Sequence, residues 1–388
     1  MMELAKIRLV RADVSIWLVY AGRQRRYWEN FRQSNCVFLQ LPGFNASEAV
    51  FQSDEQLRRH LAMSDQIFRW VVGARNSPPS RNAASYNPYP YQTGTSEAKG
   101  FAAELGNVER MFIDARPGDL VLSPSFGHFD PYLIGEITKN WSPEDNLEIP
   151  SLENEVVPTR KVRWLNTALA RRDFPPRISR RLQNQLAITK LDSEFYEEIL
   201  QLVYPSFVWG GRSKLDIYGD DYSGTDPLQP YAPALLIKYV LASVFAYESG
   251  QFVQFQSLSP HKAIDQFYRK ELIEHFGQNF NSPGKYSVVA ALGSMSILAT
   301  AGMLVATSDP STNFGQVQTE VKGRVKDSMQ GAGKAEMSDN LDGYVDSMEA
   351  VNWKDVQKEL GKPAKESMTL SMNNAAEVAN HRAELNAR

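Results

Sequence analysis

Hydrophobic positions along the chain alternate in some stretches, recur at three and four in others, and run unbroken in one. Short apolar runs bounded by turn residues predict strands. Residues 15–21 (SIWLVYA) end at Gly22, and residues 36–41 (CVFLQL) stop at Pro42-Gly43. Between them lie a polar turn with Arg23, Arg25 and Arg26 and a short helix predicted over residues 27–32. Leu57, Leu61, Ile67, Phe68 and Val71 share one face behind the start signal Ser53-Asp54-Glu55, which predicts an amphipathic helix. Residues 76–98 hold prolines and three tyrosines without a period and read as a loop. The turn Arg116-Pro117-Gly118-Asp119 then introduces three strands: LVLSP, YLIGEIT from Tyr132, and residues 156–165 (VVPTRKVRWL).

The rear of the chain reads differently. Helices are predicted over residues 191–205, 232–248 and 260–276, with a Gly- and Asp-rich loop over residues 207–231. Residues 286–308 carry no charge and are bounded by Lys285 and Asp309. A bilayer core of roughly 30 Å needs roughly 20 helical residues, so this run fits one crossing. Ala290, Ser294 and Gly302 fall on one helical stripe, interrupted by Leu298, which suits close helix packing or the wall of a pore. A buried helix of a globular domain is the alternative. One helix per chain encloses no channel, so a pore requires an oligomer. After Pro310 the composition turns polar, with short helical stretches that stay partly disordered or are completed in an oligomer.

Composition adds bounds. The 388 residues are enough for two or three domains, and 43% hydrophobic with 11% aromatic content is ordinary for a folded protein. The net charge of −3 hides a basic front half and an acidic rear half, so the front half is expected to meet an anionic partner. Cys36 is the single cysteine, which excludes an intrachain disulfide and a zinc cluster of ordinary spacing. Five histidines are scattered without ligand spacing, and no phosphate loop, dinucleotide fingerprint, HExxH or GxSxG occurs. No catalytic residue, metal or cofactor is therefore expected. Asp216, Asp220, Asp221 and Asp226 offer oxygen ligands for a hard cation but lack a calcium-loop spacing; a metal-dependent nuclease on this loop is a further alternative. No signal peptide is read at the N-terminus, so the bulk of the chain is expected in the cytosol.

The series WLVYAG, PGDLVLSP, YLIGEIT and TRKVRWL resembles, in order and spacing, the EVE/PUA-like domain at the N-terminus of bacterial restriction and defence proteins. The resemblance covers roughly residues 13–190 and includes RRDFPPRISRRLQNQLAI, which looks like that family's trailing basic helix. It implies a curled β-barrel whose concave face binds nucleic acid or a base extruded from it. The residues agree in kind: basic side chains neutralise phosphates and aromatic faces stack bases. The candidate contacts are Arg23, Arg25, Arg26, Tyr27, Arg160, Lys161, Arg163, Arg171, Arg172, Arg177, Arg180 and Arg181, while Trp17 and Trp164 are expected in the core. Nothing supplies the nuclease residues with which the restriction relatives continue.

The expected fold is α+β: a PUA/EVE-like curled β-barrel with flanking helices (residues 1–190), a helical connector (191–285), one transmembrane helix (286–308) and a polar helical or partly disordered tail (309–388). The whole resembles the membrane effectors of bacterial anti-phage defence, the Hailong type among them, on the order of its parts rather than on a motif. That resemblance implies an oligonucleotide ligand, a partner nucleotidyltransferase, membrane lipid, and a homo-oligomer (a tetramer) that permeabilises the inner membrane with its N-terminal domain cytoplasmic, or that stays cytoplasmic until activated. The alternative is a soluble DNA or modified-base reader that recruits a separate nuclease.

Overall fold

The computed structural model describes residues 4, 6–44, 47–127, 129–165, 169–183, 186–219, 222, 226, 228–279, 284–309 and 311–372. They divide into two units, Asp13–Val203 and a second built from Met1–Ala12 with Tyr204–Arg388. The first strand, β1 (Ile7–Val10), accordingly belongs to the sheet of the rear unit.

In the front unit, β2 (Ile16–Val19), β3 (Cys36–Phe38), β4 (Leu120–Ser123), β5 (Leu133–Ile137), β8 (Thr159–Trp164) and β9 (Ile188–Lys190) form one sheet in the order β3-β8-β5-β4-β2-β9. A separate hairpin pairs β6 (Leu147–Ile149) with β7 (Glu155–Val157). β2 and β4 are buried along their whole length, which explains their continuous apolar runs. They pair in parallel, and the connection between them carries the helices Asp54–Val71 and Ser96–Glu109. The Arg116–Asp119 turn is the joint. The buried Asp119 carboxylate accepts from the Ser15 amide (3.0 Å), the Trp17 indole (2.9 Å) and the Arg116 amide (3.0 Å). Residues 76–98 are tethered rather than free: the Tyr91 hydroxyl donates to Asp65 (2.7 Å), and Tyr86 packs on the core. The expected barrel is corrected to an open half-barrel, since no ladder joins the edge strands β3 and β9 among the described residues.

The rear unit holds β10 (Ser206–Trp209), β11 (Arg212–Gly219), β12 (Ile273–Asn279), β13 (Gly284–Ala290), β14 (Met329–Gly331) and β15 (Leu370–Ser371). With β1 they make a mixed sheet in the order β12-β13-β11-β10-β1-β14, with β15 added beside β11. Two local expectations change. Much of the supposed loop at 207–231 is strand, including the buried β11, and the helix expected over residues 260–276 ends at Phe267, before β12.

The transmembrane helix is overturned. Residues 284–290 are β13, hydrogen-bonded to β11 on one side and β12 on the other, and only Met295–Ala306 is helical. Twelve residues span about 18 Å, well short of a bilayer core. Among the described residues, no helix is long and apolar enough to cross a membrane. The uncharged run reflects two buried elements in series. Tyr286, Val288 and Ala290 alternate onto the core, and every residue of the Met295–Ala306 helix is buried. The proposed stripe of small residues does not exist as such. Ala290 ends a strand, Ser294 caps the helix and hydrogen-bonds to Glu248, and Leu298 is wholly buried. Gly302 is needed for packing inside the unit, where a Cβ would stand 2.7 Å from the Tyr344 hydroxyl and 2.9 Å from Val240. The helices Phe314–Ser328 and Lys334–Ser347 complete this core through Val317, Val321, Val325, Leu341 and Tyr344.

Candidate nucleic-acid interface

The turn after β2 builds the site. Gly22 has φ 73°, and a Cβ there would lie 2.6 Å from the Tyr27 ring, so only glycine fits. Gln24 (φ 55°) and Arg25 (φ 57°) are also left-handed, a conformation costing of order 1–3 kcal/mol per non-glycine residue. The turn is closed by the Arg25 amide donating to Gly22 O (3.0 Å) and the Tyr27 amide to Ala21 O (3.0 Å). Strain held in this way aims Arg23, Gln24 and Arg25 at a cavity of about 580 Å³.

Beyond that turn, the cavity is lined by Tyr20 at the end of β2, Phe38 to Leu41 at the end of β3, Glu104 and Asn107 on the Ser96–Glu109 helix, and Ala187 ahead of β9. Its size falls within the roughly 300–1,000 Å³ of ligand sites. The lining combines ring faces with amide donors and acceptors, two guanidinium groups and one carboxyl. Arg25 sits 5.9 Å from the Tyr20 ring centroid. The Tyr20 hydroxyl donates to Leu182 O (2.9 Å) and is raised above its ordinary value by burial, with the Arg25 and Arg171 charges opposing. Glu104 is also raised, chiefly because protein atoms crowd its carboxyl and secondarily by the Asp65 charge, with Arg69 opposing. The residue as a whole is nonetheless exposed to water.

The other candidates part company. Tyr27 is buried beneath the turn, packed on Phe38 at 5.4 Å, and burial raises its hydroxyl. Arg26 is exposed, 5.8 Å from the Tyr27 ring. Arg160 is 1% exposed and donates to Ala115 O (2.8 Å); burial pulls it down to about 10. It is a strut of the sheet, not a surface cation. Lys161 is half-buried in β8 opposite Cys36, and Arg163 is paired with Glu136 at 2.5 Å. Arg177 and Arg181, at the helix Pro176–Arg181, pair with Glu198 and Asp192, and Arg180 donates to Pro176 O (3.4 Å). Arg171 donates to Ser179 (3.2 Å), and its charge reaches both Tyr20 and Tyr132. Arg172 is exposed and lies 5.3 Å from the ring of Phe129. Arg23, Arg25, Arg171 and Arg172 are thus the cations with a direct relation to the cavity or the loop beside it. Trp17 is in the core as expected, and Trp164 is half-buried with its indole donating to Phe31 O (3.0 Å).

No protein-family model, curated protein or solved structure matches the chain. The site therefore stands on its geometry. Sequence reading missed Tyr20, Phe38, Gln40, Glu104 and Asn107, which reach one cavity from segments up to 87 residues apart. Among the described residues no cluster of His, Cys, Asp or Glu is arranged to hold a metal. Asp216 is no loop ligand. It is buried in β11 between Lys214 (2.9 Å) and Lys285 (2.8 Å), and accepts from Ser287 (2.5 Å). Asp226 accepts from the Leu228 amide (2.8 Å), while Asp220 and Asp221 lie outside the described residues, as do His128 and His381.

Proposed function

We propose that residues 13–203 read nucleic acid by taking one unpaired base into the cavity bounded by the Gly22–Tyr27 turn, the end of β3 and the Ser96–Glu109 helix. The observation that carries this is the composition of the lining. Tyr20 and Phe38 supply ring surface, and Gln24, Gln40, Asn107 and Glu104 supply a set of donors and acceptors for a base edge. Arg23 and Arg25 add positive charge to the lining, which suits the phosphate of a nucleotide. The resemblance of the front unit to EVE/PUA-like domains points to the same chemistry. A role within an anti-phage system is what that resemblance implies; membrane permeabilisation rested on residues 286–308 and is not part of the proposal.

The test is fluorescence anisotropy with a labelled mixed-sequence single-stranded DNA oligonucleotide, titrated at several salt concentrations. Arg23→Glu and Arg25→Glu are expected to weaken binding and to flatten the slope of log K against log salt by roughly 0.7 per lost phosphate contact. Binding unchanged in both variants, with circular dichroism like wild type, would overturn the assignment.

A further inference from the structure

The hydrogen-bonding groups of the cavity are unevenly matched. Among the described residues of its lining, Glu104 is the one carboxyl. It stands three residues before Asn107 on the Ser96–Glu109 helix, so the two share a face. Among the described residues it makes no hydrogen bond or ion pair; Asp65 and Arg69 act on it through their charge. A carboxylate in the same lining as Arg23 and Arg25 opposes an anionic ligand unless that ligand brings N–H donors to it. The other side chains supply donors. Asn107 Oδ1 accepts from Arg110 (3.3 Å), which leaves the Asn107 amide nitrogen to donate. Gln40 Nε2 is buried and meets no acceptor in hydrogen-bond geometry, although it is close enough to the Tyr27 hydroxyl to lower it. Arg25 Nε is likewise buried without an acceptor. Buried donors of this kind cost stability until a ligand supplies the missing acceptors.

We propose that the cavity selects guanine, with the Glu104 carboxylate as the group that decides. This rests on the reading of the cavity as a base site given above. Guanine carries two adjacent donors, N1–H and the N2 amino group, which the two oxygens of one carboxylate accept together. Its O6 and N7 are acceptors for the amide and guanidinium donors of the lining. Adenine and cytosine present an amino group beside a ring-nitrogen acceptor, and thymine one N–H between two carbonyls. Each of these sets an acceptor lone pair against a carboxylate oxygen, so the site discriminates by repulsion as well as by attraction.

The experiment measures fluorescence anisotropy of labelled thymidine oligonucleotides, each with one central dG, dA, dC or deoxyinosine, against wild type and Glu104→Gln. Glu104 is exposed and glutamine matches its size, so the fold is retained. Wild type is expected to bind the dG strand about tenfold or more tightly than the dA and dC strands. The deoxyinosine strand, which lacks only the N2 amino group, is expected to fall between them. Glutamine offers one acceptor and sets an amino group against the second guanine donor, so the ratio of dG to dA affinity is expected to drop about tenfold in Glu104→Gln. Wild type that binds all the strands alike overturns guanine selection and leaves the base reader standing. Deoxyinosine bound as tightly as dG overturns the paired contact to the carboxylate. A dG preference undiminished in Glu104→Gln overturns the assignment to Glu104. Wild type that binds none of the strands overturns the selection and the reader together.

Discussion

Leu298 distinguishes a buried helix from a lipid-facing one. Its side chain is 0% exposed within the Met295–Ala306 helix, in the same core as Leu215, Val240 and Tyr344. Leu298→Ala removes buried methyl groups and leaves a cavity the neighbours fill only in part, a loss of about 2–5 kcal/mol. For a unit of this size each kcal/mol moves Tm by roughly 2–4 °C, so melting is expected to fall by about 4–20 °C. Leu298→Asp adds the burial of an unpaired carboxylate, several kcal/mol more, and approaches the whole stability of about 5–15 kcal/mol; that variant is expected not to fold. Val253→Ala, at a position 74% exposed, is the control and is expected to stay within about 0.5 kcal/mol of wild type. The assay is differential scanning calorimetry of the full chain, following the transition of the rear unit. Leu298→Ala melting at the wild-type temperature would refute the placement, because a leucine facing lipid leaves no such cavity when shortened.

Two further outcomes follow from buried or crowded charge. Asp216→Ala leaves the nearly buried Lys214 ammonium without its carboxylate and is expected to destabilise by about 3–5 kcal/mol in urea denaturation; a loss under about 1 kcal/mol would contradict the described charge cluster. Glu104 is raised, so the unfolded chain ionises first as pH rises: the stability from its protonated form is full below the ordinary glutamate range and lost as pH climbs through the raised value. Glu104→Gln is expected to flatten that decline in urea midpoints measured across about pH 4 to 8, and parallel curves for the two proteins would exclude it.

Local pattern carried much of the front unit. The starts of β2 and β3, the Asp54–Val71 helix with its Ser53 cap, and the Arg116–Asp119 turn can all be read from neighbouring residues, because each depends on spacing and local hydrogen bonds. The arginines of the front unit were legible as charge. Which of them face solvent was not: Arg160 and Arg163 are two of the same cluster in one strand, yet one is buried and the other exposed. Strand alternation alone does not say what covers each face.

The same limit explains residues 286–308. An apolar run reports burial, and burial in a sheet, in a helix or in lipid looks alike along the chain. Its division into β13 and the Met295–Ala306 helix depends on ladder partners at residues 213–219 and 273–279 and on the tight fit of Gly302 against Val240 and Tyr344. Composition and periodicity were sufficient for an α+β chain with a basic, aromatic front half, since those properties are sums and repeats over nearby residues. The cavity and the path of the apolar run were settled by contacts between distant segments, whose pairing energies no local window contains.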